Sequence, residues 1–286
     1  MPLTSATAHT ITTAHGPLRY YRAGNTGPAV ILLHGAMLDT APLVWGAAIP
    51  ALQDGYRVFA LDWPRHGGSR PWHGPTGQAG LEEAVAELMD HCGLASARLV
   101  GLSLGGGIAA GFAARNPDRV ERLVLVAPGG MEGRRVAQGS TYLYLRTPGL
   151  LRLTTALFAH SPALIRVSLR AALVEGADHP DFAEIVALAE QEMRSKREAG
   201  ELVMDDWQIS SYGWRRMRTD LRPLLRHIAC PTLVVRGDRD SVVPLSAVEE
   251  TARLIPGADL LRVPDAGHLL PRDRPEEFHA ALRAFL

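Results

Sequence analysis

The stretch Ala97-Arg98-Leu99-Val100-Gly101-Leu102-Ser103-Leu104-Gly105-Gly106-Gly107-Ile108-Ala109-Ala110 decides the fold. Its first four residues read as a buried strand, and Gly106 to Arg115 reads as a helix. Between them lies Gly101-x-Ser103-x-Gly105, a sharp strand-to-helix turn that strains the serine backbone and pushes its hydroxyl out at the carboxyl end of a sheet. Glycines two before and two after the serine leave room for the chain to fold back on itself. A serine between two glycines is common by chance; the strand before it and the helix after it give it meaning.

Working outward, the segments alternate. Thr10 to His15 and Leu18 to Arg22 predict a hairpin turning at Gly16-Pro17, and Ala29 to Leu33 is an apolar run suited to a strand buried on both faces. Val44 to Leu52 predicts a helix and Arg57 to Leu61 a strand. Leu81 to His91 predicts a helix with Glu82, Glu83 and Glu87 on its wet side, and Arg122 to Val126 another strand. Strand, helix, strand in this order implies parallel pairing with helices on both faces of the sheet. From Met131 to Leu221 the rhythm is helical only, with Leu150 to Phe158, Pro162 to Leu173 and Asp181 to Ala199 as the clearest segments. Alternation resumes at Thr232 to Val235, Val248 to Leu254, Leu260 to Val263 and a closing helix from Pro275 to Leu286. The expected architecture is an α/β core of residues 1–130 and 222–286, with residues 131–221 inserted as a helical cap.

Bulk properties exclude several classes. The 286 residues suffice for a sizeable core, and 30 basic residues balance 30 acidic ones, so no net field favours nucleic acid or anionic lipid. Lys196 is the only lysine, an arginine bias best read as coding-sequence composition. Two cysteines, Cys92 and Cys230, cannot build a disulfide framework and suit a reduced compartment. The start, Met1-Pro2-Leu3-Thr4-Ser5-Ala6, lacks the basic end and apolar core of a signal peptide, and no run approaches a membrane span. A soluble, cytoplasmic protein with no membrane or nucleic-acid partner is expected; its oligomeric state is left open.

A serine hydroxyl is a poor nucleophile at neutral pH and needs a base, which in turn needs an orienting carboxylate. Two later loops supply them, each directly after a predicted strand: Gly237-Asp238-Arg239-Asp240 and Asp265-Ala266-Gly267-His268. Loops that follow strands of a parallel sheet gather at one edge, so these residues can meet Ser103. Gly105, Gly106 and Gly107 belong to no phosphate-loop pattern, and no His/Cys/Asp/Glu cluster has zinc spacing, so neither a cofactor nor a metal is called for.

Taken with Leu33-His34-Gly35-Ala36, Asp62-Trp63-Pro64-Arg65-His66-Gly67-Gly68-Ser69 and the segment from Gly237 to Pro244, these motifs make the chain resemble, over essentially its whole length, an α/β-hydrolase. The group it resembles is that of the capped esterases, lactonases and carbon–carbon-bond hydrolases. The resemblance implies Ser103 as nucleophile, His268 as base and Asp240 as acid, with Asp238 as the alternative acid. It implies an oxyanion hole from the backbone N–H groups of Ala36 and Leu104, and structural roles for His34 and His66. Arg65 departs from the pattern, since family members usually carry Gly there. Met37, Val243 and Leu269 adjoin these positions and are candidates to line an apolar pocket. Tyr142, Tyr144, Trp207, Tyr212 and Trp214 are candidates for a ceiling above it, or for plain helix packing.

The function expected is hydrolysis of a small, largely uncharged carboxylic ester through an acyl-enzyme. Cleavage of a carbon–carbon bond in a ring-cleavage product is the alternative, disfavoured because Ala36-Met37-Leu38-Asp39-Thr40 replaces the glycine-rich segment such members tend to have. Lactonase and cofactor-free perhydrolase activities use the same triad. A non-catalytic ligand-binding protein on the same fold is the reading from another class.

Overall fold

Residues that alternate along each central strand enter two different cores, which is why the sequence shows continuous apolar runs rather than alternation. Ile31 and Leu33 of the third strand pack in one core, and Val30 and Leu32 in the other. Leu123 and Leu125 likewise separate from Val124 and Val126. The computed structural model describes residues 6–286; Met1 to Ser5, most of the segment read above for a signal peptide, lie outside the described residues.

The strands are β1 (Thr7–Thr13), β2 (Gly16–Ala23), β3 (Ala29–Leu33), β4 (Arg57–Leu61), β5 (Ala97–Leu102), β6 (Val120–Val126), β7 (Thr232–Gly237) and β8 (Asp259–Val263). They form one sheet in the order β1-β2-β4-β3-β5-β6-β7-β8. The two junctions of β2 are antiparallel and every other pairing is parallel. The helices before β6 are α1 (Ala41–Trp45), α2 (Ala48–Leu52), α3 (Gln78–His91) and α4 (Leu104–Arg115). Between β6 and β7 come α5 (Gln138–Arg146), α6 (Leu150–His160), α7 (Pro162–Ala172), α8 (Phe182–Glu198), α9 (Asp206–Ser211) and α10 (Arg222–Leu225). α11 (Leu245–Leu254), α12 (Leu270–Asp273) and α13 (Pro275–Phe285) complete the chain.

Three local expectations are corrected. The hairpin turns at Ala14-His15, with Thr13 paired to Gly16, so Gly16-Pro17 opens β2. Pro17 is tolerated because β4 pairs with β2 only from Tyr20 onward, leaving no partner on that side to miss its N–H. The helix expected over Val44 to Leu52 is two short helices broken at Gly46-Ala47. Pro50 is the cause: its ring would meet the carbonyl of residue 46 in a continuous helix, but it is acceptable in the first turn of a new one. Glu82, expected on the wet side, is buried, where its carboxylate accepts from Gln78 Nε2 and Arg115 Nη1, each at 2.6 Å.

Among the described residues no helix is long and apolar enough to cross a membrane. Between β6 and β7 the only β-type pairing is the isolated bridge between Tyr212 and Met217. Ile165, Leu173, Ile185, Ala189 and Met193 of this helical segment are buried in the same core as α1, α2 and α13.

Candidate active site

The turn after β5 is as tight as the sequence requires. Ser103 has φ 52° and ψ −113°, a conformation that costs on the order of 1–3 kcal/mol and persists only when its surroundings hold it. They do: Ser103 N donates to Val126 O at 2.9 Å, and Ser103 O accepts from Gly129 N at 2.7 Å and Gly107 N at 3.0 Å. A Cβ at Gly101 would sit 2.3 Å from Gly105 O, and one at Gly105 would sit 2.2 Å from Leu33 O. Both positions therefore admit only glycine.

The loops after β7 and β8 bring Asp240 and His268 together, with His268 Nδ1 donating to Asp240 Oδ2 at 2.9 Å. Asp240 Oδ1 accepts from Val242 N at 2.7 Å and Val243 N at 3.1 Å. Burial alone would raise this carboxyl, but the His268 hydrogen bond and charge and the two N–H groups outweigh it and hold its pKa below the usual value. Asp238 faces elsewhere and pairs with Arg262 Nε at 2.8 Å.

Ala36, Leu104 and Val243 line a cavity of about 100 Å³ at Ser103, together with Met204, Trp207, Tyr212 and Met217 of the helical segment. Leu104 N is the first donor of α4 and has no carbonyl one turn back inside the helix to bind. Met37 and Leu269 do not line this cavity; they pack with the core that holds α1 and α13. Leu104 and Met204 also line a neighbouring chamber of about 490 Å³ beneath the loop after β4. Glu132 and Met217 border an open groove of about 1050 Å³ on the other side. Of the five aromatics considered for a ceiling, Trp207 and Tyr212 face the cavity, and Trp207 Nε1 donates to Gln78 Oε1 at 2.7 Å. Trp214 packs edge-on against Tyr142 with ring centres 5.8 Å apart, and Tyr144 bonds Thr154.

His34 directly follows β3, and His66 lies in the loop after β4. His34 Nε2 accepts from Trp63 N at 3.1 Å, so its Nδ1 carries the proton donated to Gly35 O at 2.8 Å. Complete burial lowers its pKa well below the ordinary value, keeping it neutral. Arg65 has φ 64°, the left-handed backbone for which glycine is favoured, and its side chain reaches Asp206 at 2.7 Å.

Three side chains escaped the sequence reading. Asp39 Oδ2 lies 2.2 Å from where a Cβ of Gly35 would stand, and that point is 3.6 Å from Ser103 Cβ. Burial pushes the Asp39 carboxyl up to about 7, although the charges of His268 and His66 pull it down. Arg236, buried at the end of β7, donates to the carbonyls of Gly237 at 2.8 Å, Asp240 at 2.7 Å and Val243 at 3.2 Å, and so clamps the loop that carries Asp240. Asp273 holds Gly267 N at 2.7 Å, one residue before His268, and Val174 N at 2.9 Å. Only Arg236 left a trace in the sequence, as a charge closing an apolar strand.

A strained serine at the mouth of a mostly parallel sheet, with an Asp–His pair on later loops of the same edge, defines a class. The chain belongs to the alpha/beta hydrolase fold family, whose profile matches residues 28–275. It is 30% identical over 270 residues to the dihydrolipoyllysine-residue acetyltransferase component of the acetoin cleaving system of Cupriavidus necator, covering 94% of this chain but only 66% of that protein. It is 30% identical to the 2-hydroxymuconate semialdehyde hydrolase of Pseudomonas putida, over 91% of this chain and 87% of the relative. It is 32% identical to the pimeloyl-(acyl-carrier protein) methyl ester esterase of Aromatoleum aromaticum, over 87% and 94%. A solved thermophilic esterase from Thermogutta terrifontis superimposes with a TM-score of 0.77 at 26% identity, covering 98% of this chain and 97% of that one.

Proposed function

We propose that the protein is a serine hydrolase that cleaves a small, largely uncharged carboxylic ester through an acyl-enzyme. The observation that carries this reading is the Asp240–His268 hydrogen bond on the sheet edge where the strained Ser103 stands. With its Nδ1 proton donated to Asp240, His268 presents Nε2 as a lone pair. Ser103 Oγ attacks the ester carbonyl while its proton passes to that nitrogen. The tetrahedral oxyanion is held by the N–H groups of Ala36 and Leu104, each worth about 3–4 kcal/mol in comparable sites. Collapse expels the alcohol, which takes the proton from His268, and a water repeats the attack to release the acid. A cavity of about 100 Å³ at Ser103 supports a small acyl group, and Ala36, Leu104, Met204, Trp207 and Val243 in its lining favour an uncharged one, although Glu132 and Arg135 also border it.

The residues between β6 and β7 act in this reading as a cap that selects substrate, and the two free cysteines suit a cytoplasmic enzyme. The esterase relatives support the ester class; the Pseudomonas putida relative's name keeps carbon–carbon-bond hydrolysis as the rival. Fluorophosphonate labelling mapped to Ser103, followed by turnover of a short-chain aryl ester, is expected. Labelling without turnover of esters but with turnover of a vinylogous diketone would transfer the assignment to the rival, and no labelling at all would favour a binding protein. Ser103→Ala is expected to lower ester turnover at least about a thousandfold while the melting temperature moves only a few degrees.

A further inference from the structure

The helical segment meets the turn after β3 through a carboxylate that is 10% exposed. Asp205, the residue before α9, accepts from Met37 N through Oδ2 at 2.6 Å. Its Oδ1 accepts from Lys196 Nζ at 3.0 Å and stands 3.2 Å from His66 Nε2. Lys196, the only lysine of the chain, is 1% exposed, so a long cationic side chain has been taken out of water to meet this acid. Burial would raise the Asp205 carboxyl, but Lys196, His66 and the Met37 N–H overcome it and keep it ionised.

What Asp205 holds is the residue directly after Ala36. Met37 has φ 65°, a left-handed conformation that a side chain as large as methionine adopts only under constraint. Among the hydrogen bonds of the described residues, the Met37 N–H is anchored by Asp205, and the turn it fixes is closed by Asp39 N donating to Ala36 O at 3.2 Å. A charge-assisted bond to such a carboxylate is about twice as strong as a neutral one, enough to offset the local strain.

We propose that Asp205 is a positioning residue for the reaction: from the helical segment it tethers the Ala36–Met37 turn and thereby aims the Ala36 N–H at the oxyanion formed on attack by Ser103. The proposal rests on the function proposed above. It makes the helical segment part of the catalytic apparatus and not only its ceiling, because the oxyanion hole is complete only while Asp205 is seated.

The test compares Asp205→Asn with Glu192→Gln. Glu192 ties the same segment to the core through Arg70 and Gly67 N but touches neither the cavity nor the turn. Asp205→Asn is expected to lower kcat on a short-chain aryl ester by about tenfold to a hundredfold with KM within about twofold, less than outright loss of an oxyanion donor. The affinity for a trifluoromethyl ketone, whose hemiketal oxygen mimics the oxyanion, should weaken by a similar factor. Glu192→Gln should lower the melting temperature and leave both nearly unchanged. If Asp205→Asn does not fold, Asp205→Asn combined with Lys196→Met restores charge balance and carries the same expectation. Amide hydrogen exchange over residues 35–38 should quicken in the Asp205 variants, a readout independent of turnover. Failure of Ser103 to label in the unaltered protein would overturn the function above, while faster exchange would still establish the tether. Equal losses of kcat in both variants, or an Asp205 variant that changes only the melting temperature, would overturn the proposal.

Discussion

Ser103, Asp240 and Asp39 show how differently single residues reveal themselves. Ser103 is legible because its backbone strain demands glycines at fixed spacing. Asp240 and Asp238 are two residues apart in one loop, and only the fold gives them different partners, His268 and Arg262. Asp240→Asn is therefore expected to lower kcat/KM by several orders of magnitude, since an amide offers the imidazole the wrong partner, whereas Asp238→Asn should cost less than about tenfold. Steady-state kinetics on one ester decides it, and the reverse ranking would move the acid to Asp238. Asp39 yields a pH signature. Its pKa is raised to about 7 from an ordinary 3.8, so the unfolded chain releases this proton first and stability falls as pH climbs between those values. Asp39→Asn should match the unaltered protein near pH 4 and exceed its stability above about pH 7, by on the order of 4 kcal/mol. Denaturant curves that stay parallel across that range would remove Asp39 from consideration.

At the scale of elements, periodicity located the central strands well, because strands buried on both faces leave unbroken apolar runs. It failed where a local feature competed with the period. Pro50 split one expected helix into two, and Arg115 drew Glu82 into the protein. Arg236 is the element-scale feature with the largest consequence, since one guanidinium satisfies three carbonyls of the loop that carries Asp240. Arg236→Met should leave those carbonyls buried without a donor, destabilising the fold by about 2 kcal/mol or more. It should also lower kcat/KM at least about tenfold by releasing Asp240 from the imidazole. Full activity in a destabilised variant would show that the loop carrying Asp240 holds itself.

At the scale of the whole molecule, the segment between β6 and β7 is fastened to the loop after β4 by ion pairs: Arg70 with Glu192 and Glu201, Arg65 with Asp206. The cavity at Ser103 and the 490 Å³ chamber meet at Leu104 and Met204, which line both. Met204→Ala should join the two spaces, improving kcat/KM for longer acyl chains relative to acetyl by about 1–3 kcal/mol. A series of aryl esters of increasing length measures this, and an equal change for every ester would mean that the segment does not select substrate. The sequence by itself determined the α/β alternation, the elbow at Ser103 and the candidate acid and base, because strand burial, glycine sterics and loop order are local properties written in spacing. Only the tertiary structure decided that Asp240 and not Asp238 meets His268, that Met37 packs away from the cavity, and that Lys196 and Asp205 form a pair. Those outcomes depend on which groups from distant loops share one desolvated volume, and no spacing along the chain records that.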